Sequence, residues 1–144
     1  MTVSDDELLE WFAELQIDHD NKAHYAGWLE MKLLINRCDN CGCMHHPPRS
    51  ICPECWSTAL TPEPVSGSGT VYLKVKLHQG PVIPEVDYTT PHVLVTVDLA
   101  EQSGVRFTSS LRGDETSVGI GSPVRLAWET RRGAPYPVWE AEPG

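Results

Sequence analysis

No stretch of the 144-residue sequence holds the roughly 18 consecutive apolar residues that a membrane-spanning helix requires. Basic residues are few: 11 Lys and Arg against 20 Asp and Glu leave a net charge of −9. The broad cationic footprint of a nucleic-acid binder is therefore missing. Cysteine is absent from both flanks, since all five lie between positions 38 and 55. That odd, clustered set is unlike the even, chain-wide spread of a secreted disulfide framework. The first 15 residues are acidic and have neither the basic start nor the small-residue cleavage site of a secretory signal. No Gly-rich phosphate loop is present, because Gly67-Ser68-Gly69 is short and opens a strand pattern rather than a helix. No Ser-His-Asp or Cys-His arrangement is legible, and there is no internal repeat. The expectation is a cytoplasmic protein that binds or scaffolds rather than catalyses on its own.

The charge that is present is uneven. Seven of the acids precede the first basic residue, Lys22, and from Asn21 onward the balance is 11 basic against 13 acidic. Ser4-Asp5-Asp6-Glu7 has the spacing of a capping box, and Leu8, Leu9, Trp11, Phe12 and Leu15 recur at helical spacing. Residues 4–17 are thus expected as a short amphipathic helix. Asp20 or Asn21 would cap a second, with His24, Tyr25, Trp28 and Leu29 on one side and Gly27 as its weak point.

Residues 62–69, rich in Pro, Gly and Ser, read as a linker or turn. Beyond it lie five strand patterns: 70–77, 93–99, 105–111, 124–129 and 136–140. In the first, Val71, Leu73, Val75 and Leu77 alternate with Tyr72, Lys74 and Lys76; the second is a nearly continuous apolar run, as in a buried strand. Five short strands suit a small barrel such as an OB-fold. The fold class is then mainly β with N-terminal helices, in three parts: a helical segment 1–32, a cysteine-bearing ribbon 33–61 and a barrel 62–144. The connection 79–91, with Pro81, Pro84 and Pro91, is long for a compact domain and is a candidate functional surface.

The cysteines carry the clearest chemistry. Cys38-x2-Cys41 and Cys52-x2-Cys55 are separated by ten residues. Two cysteines so spaced sit on one tight turn and aim two thiolates at one ion; two such knuckles complete a tetrahedral four-thiolate site. Cys38, Cys41, Cys52 and Cys55 are the expected ligands of a structural Zn2+, with no position left open for water or substrate. Iron is the other metal suited to an all-sulfur tetrahedron, but nothing else here suggests electron transfer. Gly42 follows the first pair, where the turn calls for positive φ. Cys43 reads as a spare thiol, and His45 and His46 as surface or capping groups.

Beyond this arithmetic, particular runs resemble a known family. They are 33–42 (LLINRCDNCG), Pro47-Pro48-Arg49, Cys52-Pro53-Glu54-Cys55, 65–72 (VSGSGTVY) and 91–99 (PHVLVTVDL). Together they look like the zinc-ribbon/OB-fold family associated with acyl-CoA metabolism, long catalogued as a domain of unknown function. The resemblance covers roughly residues 21–140. It implies N-terminal helices, a rubredoxin-like zinc ribbon and a five-stranded OB-fold barrel. It also implies a small partner of thiolase-superfamily enzymes: thiolases, acyltransferases or lipid-transfer-type aldolases. Such a partner bridges catalytic subunits and helps shape the site for a CoA thioester, in some relatives during steroid side-chain breakdown. Two departures stand out: Trp56 occupies a position the family usually gives to Gly, and Cys43 is unusual.

In that setting Lys74, Lys76, Arg106 and Arg112 are the candidate contacts for CoA phosphates, with Arg131 and Arg132 at a turn. Trp11, Phe12 and Trp28 are the candidate partner contacts. His78, His92, Asp87 and Asp98 can be assembled into an acid–base account, although a lone strand-end histidine is more often a hydrogen-bonded surface group. The rival function is single-stranded nucleic-acid binding by an OB-fold, with Tyr72, Phe107 and Trp128 as stacking groups. Against it stand the near-neutral core and the acidic start.

Overall fold

The computed structural model describes residues 4–12, 15–80 and 89–143. It divides into two compact units, Met1–Val65 and Ser66–Gly144.

The first unit begins with helix α1, Asp5–Trp11, shorter than the periodicity suggested. Its capping box is present: the Ser4 hydroxyl accepts from the Glu7 N–H (3.2 Å), and the Glu7 carboxylate accepts from the Ser4 N–H (3.0 Å). The helix stops at its C-cap, Phe12, whose N–H still donates to the Leu8 carbonyl. Helix α2, Lys22–Leu29, follows a turn tied by Asp18, whose carboxylate accepts from the N–H groups of Asp20 and Asn21. Gly27 has a packing reason within α2. A Cβ there would lie 2.8 Å from the Leu34 side chain and 2.9 Å from the Lys32 carbonyl, so only Gly lets α2 approach the sheet this closely.

That sheet has the order β2–β1–β3, built from β1 (Leu34–Cys38), β2 (Met44–His45) and β3 (Leu60–Pro64). Strand β3 corrects the linker expectation, because Leu60 to Pro64 pair antiparallel with Cys38 to Leu34. Pro62 and Pro64 are tolerated because β3 is an edge strand, where a missing N–H need not break a ladder. The core of this unit is Leu8, Phe12, Trp28, Leu33 and Ile35. Phe12, Tyr25 and Trp28 pack ring against ring, with centroids 4.8–5.8 Å apart.

The second unit is a closed barrel of five strands: β4 (Ser68–Leu77), β5 (His92–Leu99), β6 (Arg106–Arg112), β7 (Pro123–Arg131) and β8 (Ala134–Ala141). The order β4–β5–β6–β8–β7 returns to β4, with β6 and β8 parallel and the other pairs antiparallel. A single 3-10 turn, Glu115–Ser117, lies between β6 and β7. This is an OB-fold topology. Val71, Val95, Val97, Val124, Val138 and Trp139 fill the interior. Strand β5 alternates rather than being buried on both faces: Val93, Val95, Val97 and Leu99 point in, while His92, Leu94, Thr96 and Asp98 are half-exposed.

Strand β4 departs from the alternation expected of it. Its register shifts between Val71 and Leu73, leaving Tyr72 as the extra residue of a bulge. After the bulge Leu73 and Val75 are 45% and 39% exposed, and Lys74 takes the register position opposite inward-facing Val95. One inserted residue has exchanged the two faces of the strand's second half.

Closure demands a close approach at Gly69, where a Cβ would sit 2.4 Å from Val97 Cγ1 and 2.6 Å from the Asp98 carbonyl oxygen. Gly69→Ala should cost about 1–3 kcal/mol in urea unfolding, with a stiff β-branched side chain and a backbone carbonyl in the way. Gly119→Ala, with nothing within 4 Å of the added methyl, should change stability by less than about 0.5 kcal/mol.

Candidate metal centre and surface sites

The two knuckles are built alike. In the first, the Cys38 N–H donates to the Cys43 carbonyl (2.8 Å) and the Gly42 N–H donates to the Cys38 carbonyl (2.9 Å). In the second, the Cys52 N–H donates to the Ser57 carbonyl (2.9 Å) and the Trp56 N–H donates to the Cys52 carbonyl (3.0 Å). Trp56 is thus the counterpart of Gly42, and both are left-handed, at φ 65° and 78°. The backbone makes the turn with Trp where Gly is the unstrained choice. The Trp56 ring is 77% exposed, so packing of the ring does not offset that strain.

The knuckles bring the four expected sulfurs together. All lie within 4.8 Å of one another, with Cys38 Sγ 3.5 Å from Cys55 Sγ and Cys41 Sγ 3.6 Å from Cys52 Sγ. A tetrahedron with metal–sulfur bonds of about 2.3 Å has edges of about 3.8 Å, so the set fits one zinc-sized ion. Backbone N–H groups already face the sulfurs: Cys41 N–H donates to Cys38 Sγ (3.5 Å) and Glu54 N–H to Cys52 Sγ (3.4 Å).

Protonation follows the crowding. The Asn40 amide and the Ser57 N–H pull the Cys55 thiol down to about 6. The N–H groups of Cys55 and Glu54 outweigh burial and lower Cys52. At Cys41 the Cys43 N–H pulls down, but desolvation and the three neighbouring sulfurs prevail and push the thiol up to about 12. A bound cation would favour the thiolate form of its cysteine ligands. Cys43 stands outside this set, its thiol donating to the Met44 carbonyl (3.4 Å).

His45 and His46 are not the surface groups the sequence suggested. His45 is 7% exposed, and the His46 ring lies 4.9 Å from that of His24 on α2. His46 meets α2 through His24, a contact that no local pattern announces.

The candidate phosphate contacts all have partners within the barrel. Lys74 Nζ donates to the carbonyls of Glu115 (2.6 Å) and Val118 (2.8 Å) and pairs with the Glu115 carboxylate (2.8 Å), which Lys76 also reaches (2.9 Å). Arg106 pairs with Asp98 (2.9 Å) and lies over the Tyr72 ring (3.6 Å). Arg112 and Arg125 share Glu140, each at 2.8 Å. The cations hold Glu115 and Glu140 below the usual carboxylate range, hydrogen bonds from the two lysines and the two arginines being the largest causes. A phosphate at any of these positions would compete with an acid already in place.

Of the candidate partner contacts, Phe12 and Trp28 are buried in the aromatic core of the first unit, and Trp11 is 43% exposed. Of the stacking candidates, Phe107 is buried in the barrel against Trp139. The acid–base quartet does not assemble: Asp98 belongs to Arg106 and Asp87 lies outside the described residues. His92 instead meets Ser110, a contact that no local pattern announces. The Ser110 hydroxyl, 2.9 Å from His92 Nε2, also accepts from Arg131 (3.1 Å) and is only 5% exposed; it ties β5, β6 and β7 together. Most of the 79–91 connection, residues 81–88, lies outside the described residues. Among the described residues no helix is long and apolar enough to cross a membrane.

A four-cysteine ribbon joined to a five-stranded closed barrel defines a zinc-ribbon/OB-fold protein. Residues 26–61 match the model of the ChsH2 rubredoxin-like zinc ribbon domain and residues 62–129 that of the ChsH2 C-terminal OB-fold domain. A solved structure titled Ltp2-ChsH2(DUF35) aldolase contains a chain 30% identical to this one, with a TM-score of 0.78, covering 88% of this chain and 98% of that one. The chain belongs to the ChsH2 (DUF35) family. A DUF35-family protein of unknown function from Sulfolobus solfataricus, 12% identical with a TM-score of 0.59, covers 93% of this chain and 92% of its own, and shares the fold. A probable enoyl-CoA hydratase alpha subunit from Thermomonospora curvata is 32% identical over 113 residues, 78% of this chain and 34% of its own length. A DUF35 domain-containing scaffold protein from Methanocaldococcus jannaschii is 34% identical over 96 residues, 63% of this chain and 65% of its own length. The chain thus spans about a third of the first of these curated relatives and about two thirds of the second.

Two substitutions test the ribbon. Trp56→Gly should stabilise the protein by about 0.5–1 kcal/mol, relief of left-handed strain outweighing the extra freedom of unfolded Gly. Trp56→Ala, which keeps a Cβ, should give no such gain. Cys38→Ser or Cys52→Ser should lose the metal, read by elemental analysis, and unfold the ribbon; unchanged zinc content would refute the ligand assignment.

Proposed function

We propose that this protein is a zinc-stabilised accessory subunit that binds a thiolase-superfamily enzyme, of the lipid-transfer-type aldolase, thiolase or acyltransferase kind, acting on acyl-CoA thioesters. The observation that carries this reading is the match, along 98% of its length, to the ChsH2 chain of an aldolase assembly. The scaffold and hydratase-subunit names of the two curated relatives support the same class.

In this reading Cys38, Cys41, Cys52 and Cys55 hold a structural Zn2+. The ion neutralises the thiolates and ties the two knuckles together, adding about 10–16 kcal/mol of binding free energy, as in zinc-finger peptides, to the folding of the ribbon. The paired basic groups of the barrel have the chemistry to meet CoA phosphates where its surface joins the partner's site. Lys76, Arg106 and Arg112, with side chains 49%, 39% and 40% exposed, are more accessible than Lys74 at 18%. Trp11 is the aromatic group left for the partner. Bridging of catalytic subunits, steroid or lipid side chains as substrate and a cytoplasmic location complete the proposal.

Affinity capture from native extract at moderate salt, followed by mass spectrometry, tests it. A near-stoichiometric thiolase-like or aldolase subunit is expected. Capture of nucleic acid with steep salt dependence, or of no partner, would overturn it. The purified protein should be colourless, whereas a red ferric protein would replace zinc by iron.

A further inference from the structure

The first unit contains a histidine cluster that the metal site does not use. His24, on α2, is 4% exposed, and its Nδ1 lies 2.8 Å from the Leu34 carbonyl of β1. A carbonyl only accepts, so Nδ1 carries the proton and the neutral ring is already satisfied at that side. The His46 ring, just beyond β2, stacks on it at 4.9 Å with a 41° tilt. Tyr25 and Trp28 meet the other parts of the His24 ring edge-on, at 5.2 and 5.6 Å. One imidazole comes from the helix and the other from the ribbon, so the stack is part of what holds α2 to the sheet. Among the described residues, His45 beside His46, Arg49 facing His45, and the titratable Tyr25 against His24 also bear on the pair.

We propose that the His24–His46 stack is an acid-released latch: neutral, it holds α2 on the ribbon, and protonated, it lets the helical segment detach while the ribbon stays folded around its metal. The physics is desolvation with like-charge repulsion. Two imidazolium rings within 5 Å, walled by aromatic rings, lose their hydration and repel each other. Burial lowers His24 despite the Leu34 carbonyl, which favours the charged ring. Burial, then His24 and His45, pull His46 down to about 3. The sign follows from the lowering. Both groups bind protons more readily once the helix has opened, so the latch is fully stabilising above about pH 6.5 and weakens steadily as the pH falls below it. Opening would uncover Phe12 and Trp28 together, an aromatic surface absent from the closed unit.

The test uses the zinc-loaded full chain taken from about pH 8 to about pH 4.5. The near-UV signal of Trp28, isolated by difference against Trp28→Phe, is read beside the metal retained by the protein. Loss of that signal with zinc still bound is expected, with uptake of at least about one proton. His46→Gln, which cannot titrate, should lower the midpoint by about 0.5 pH unit or more. Coincident loss of zinc and signal, or an unmoved midpoint in a folded His46→Gln, would overturn the proposal. Should His46→Gln fail to fold at neutral pH, proton NMR of the wild-type histidines decides. Rings of His24 and His46 that resist protonation until the helix opens support the latch, and ordinary titration near pH 6.5 in the closed state sinks it.

Discussion

Everything in the first unit depends on four sulfurs meeting at one point. The ribbon sheet has one strand of two residues and two of five, too little ladder to stand alone in water. What organises it is the pair of knuckles, each holding a cysteine carbonyl and a cysteine N–H in the same hydrogen bonds. They bring the sulfurs close to the edge lengths of a metal tetrahedron, and desolvation together with the neighbouring sulfurs raises the Cys41 thiol. A cation bound by the four sulfurs would offset the cost of gathering thiolates and would couple metal binding to folding. Helices α1 and α2 then have a fixed surface to pack on, and Gly27 lets α2 come close enough to bury His24 and Trp28.

The barrel solves a different problem, that of closure. Closure brings Gly69 against Val97 and Asp98, and the bulge at Tyr72 turns the rest of β4 over. That turn moves Lys74 to the interior side, where it pins Glu115 and Val118 across the 3-10 turn, and leaves Leu73 and Val75 outside. The electrostatic character of the surface follows: its cations are already paired through Glu115, Asp98 and Glu140. An anion reaching these cations would have to displace an acid already paired with them.

Local chemistry written in consecutive residues was legible. The capping box at Ser4 and Glu7, the ligand spacing of Cys38 to Cys55 and the five strand patterns need only near neighbours, and each is present in the structure. The same locality explains the misses. Prolines at 62 and 64 look like a linker until an edge position makes their missing N–H harmless. A period-two pattern cannot show the residue that a bulge inserts, so the faces of Leu73 and Lys74 were exchanged. His45, His46 and Ser110 carry no periodic signal, and their burial comes from distant strands and a helix packed over them.

The sequence by itself determined which four sulfurs gather and the kind of fold, because a cysteine pair on one turn and an alternating strand are short-range facts. Only the tertiary structure decided which side chains remain available. Closing a barrel and docking a helix pair charges and bury rings from residues 10 to 44 positions apart, and no local pattern records those choices.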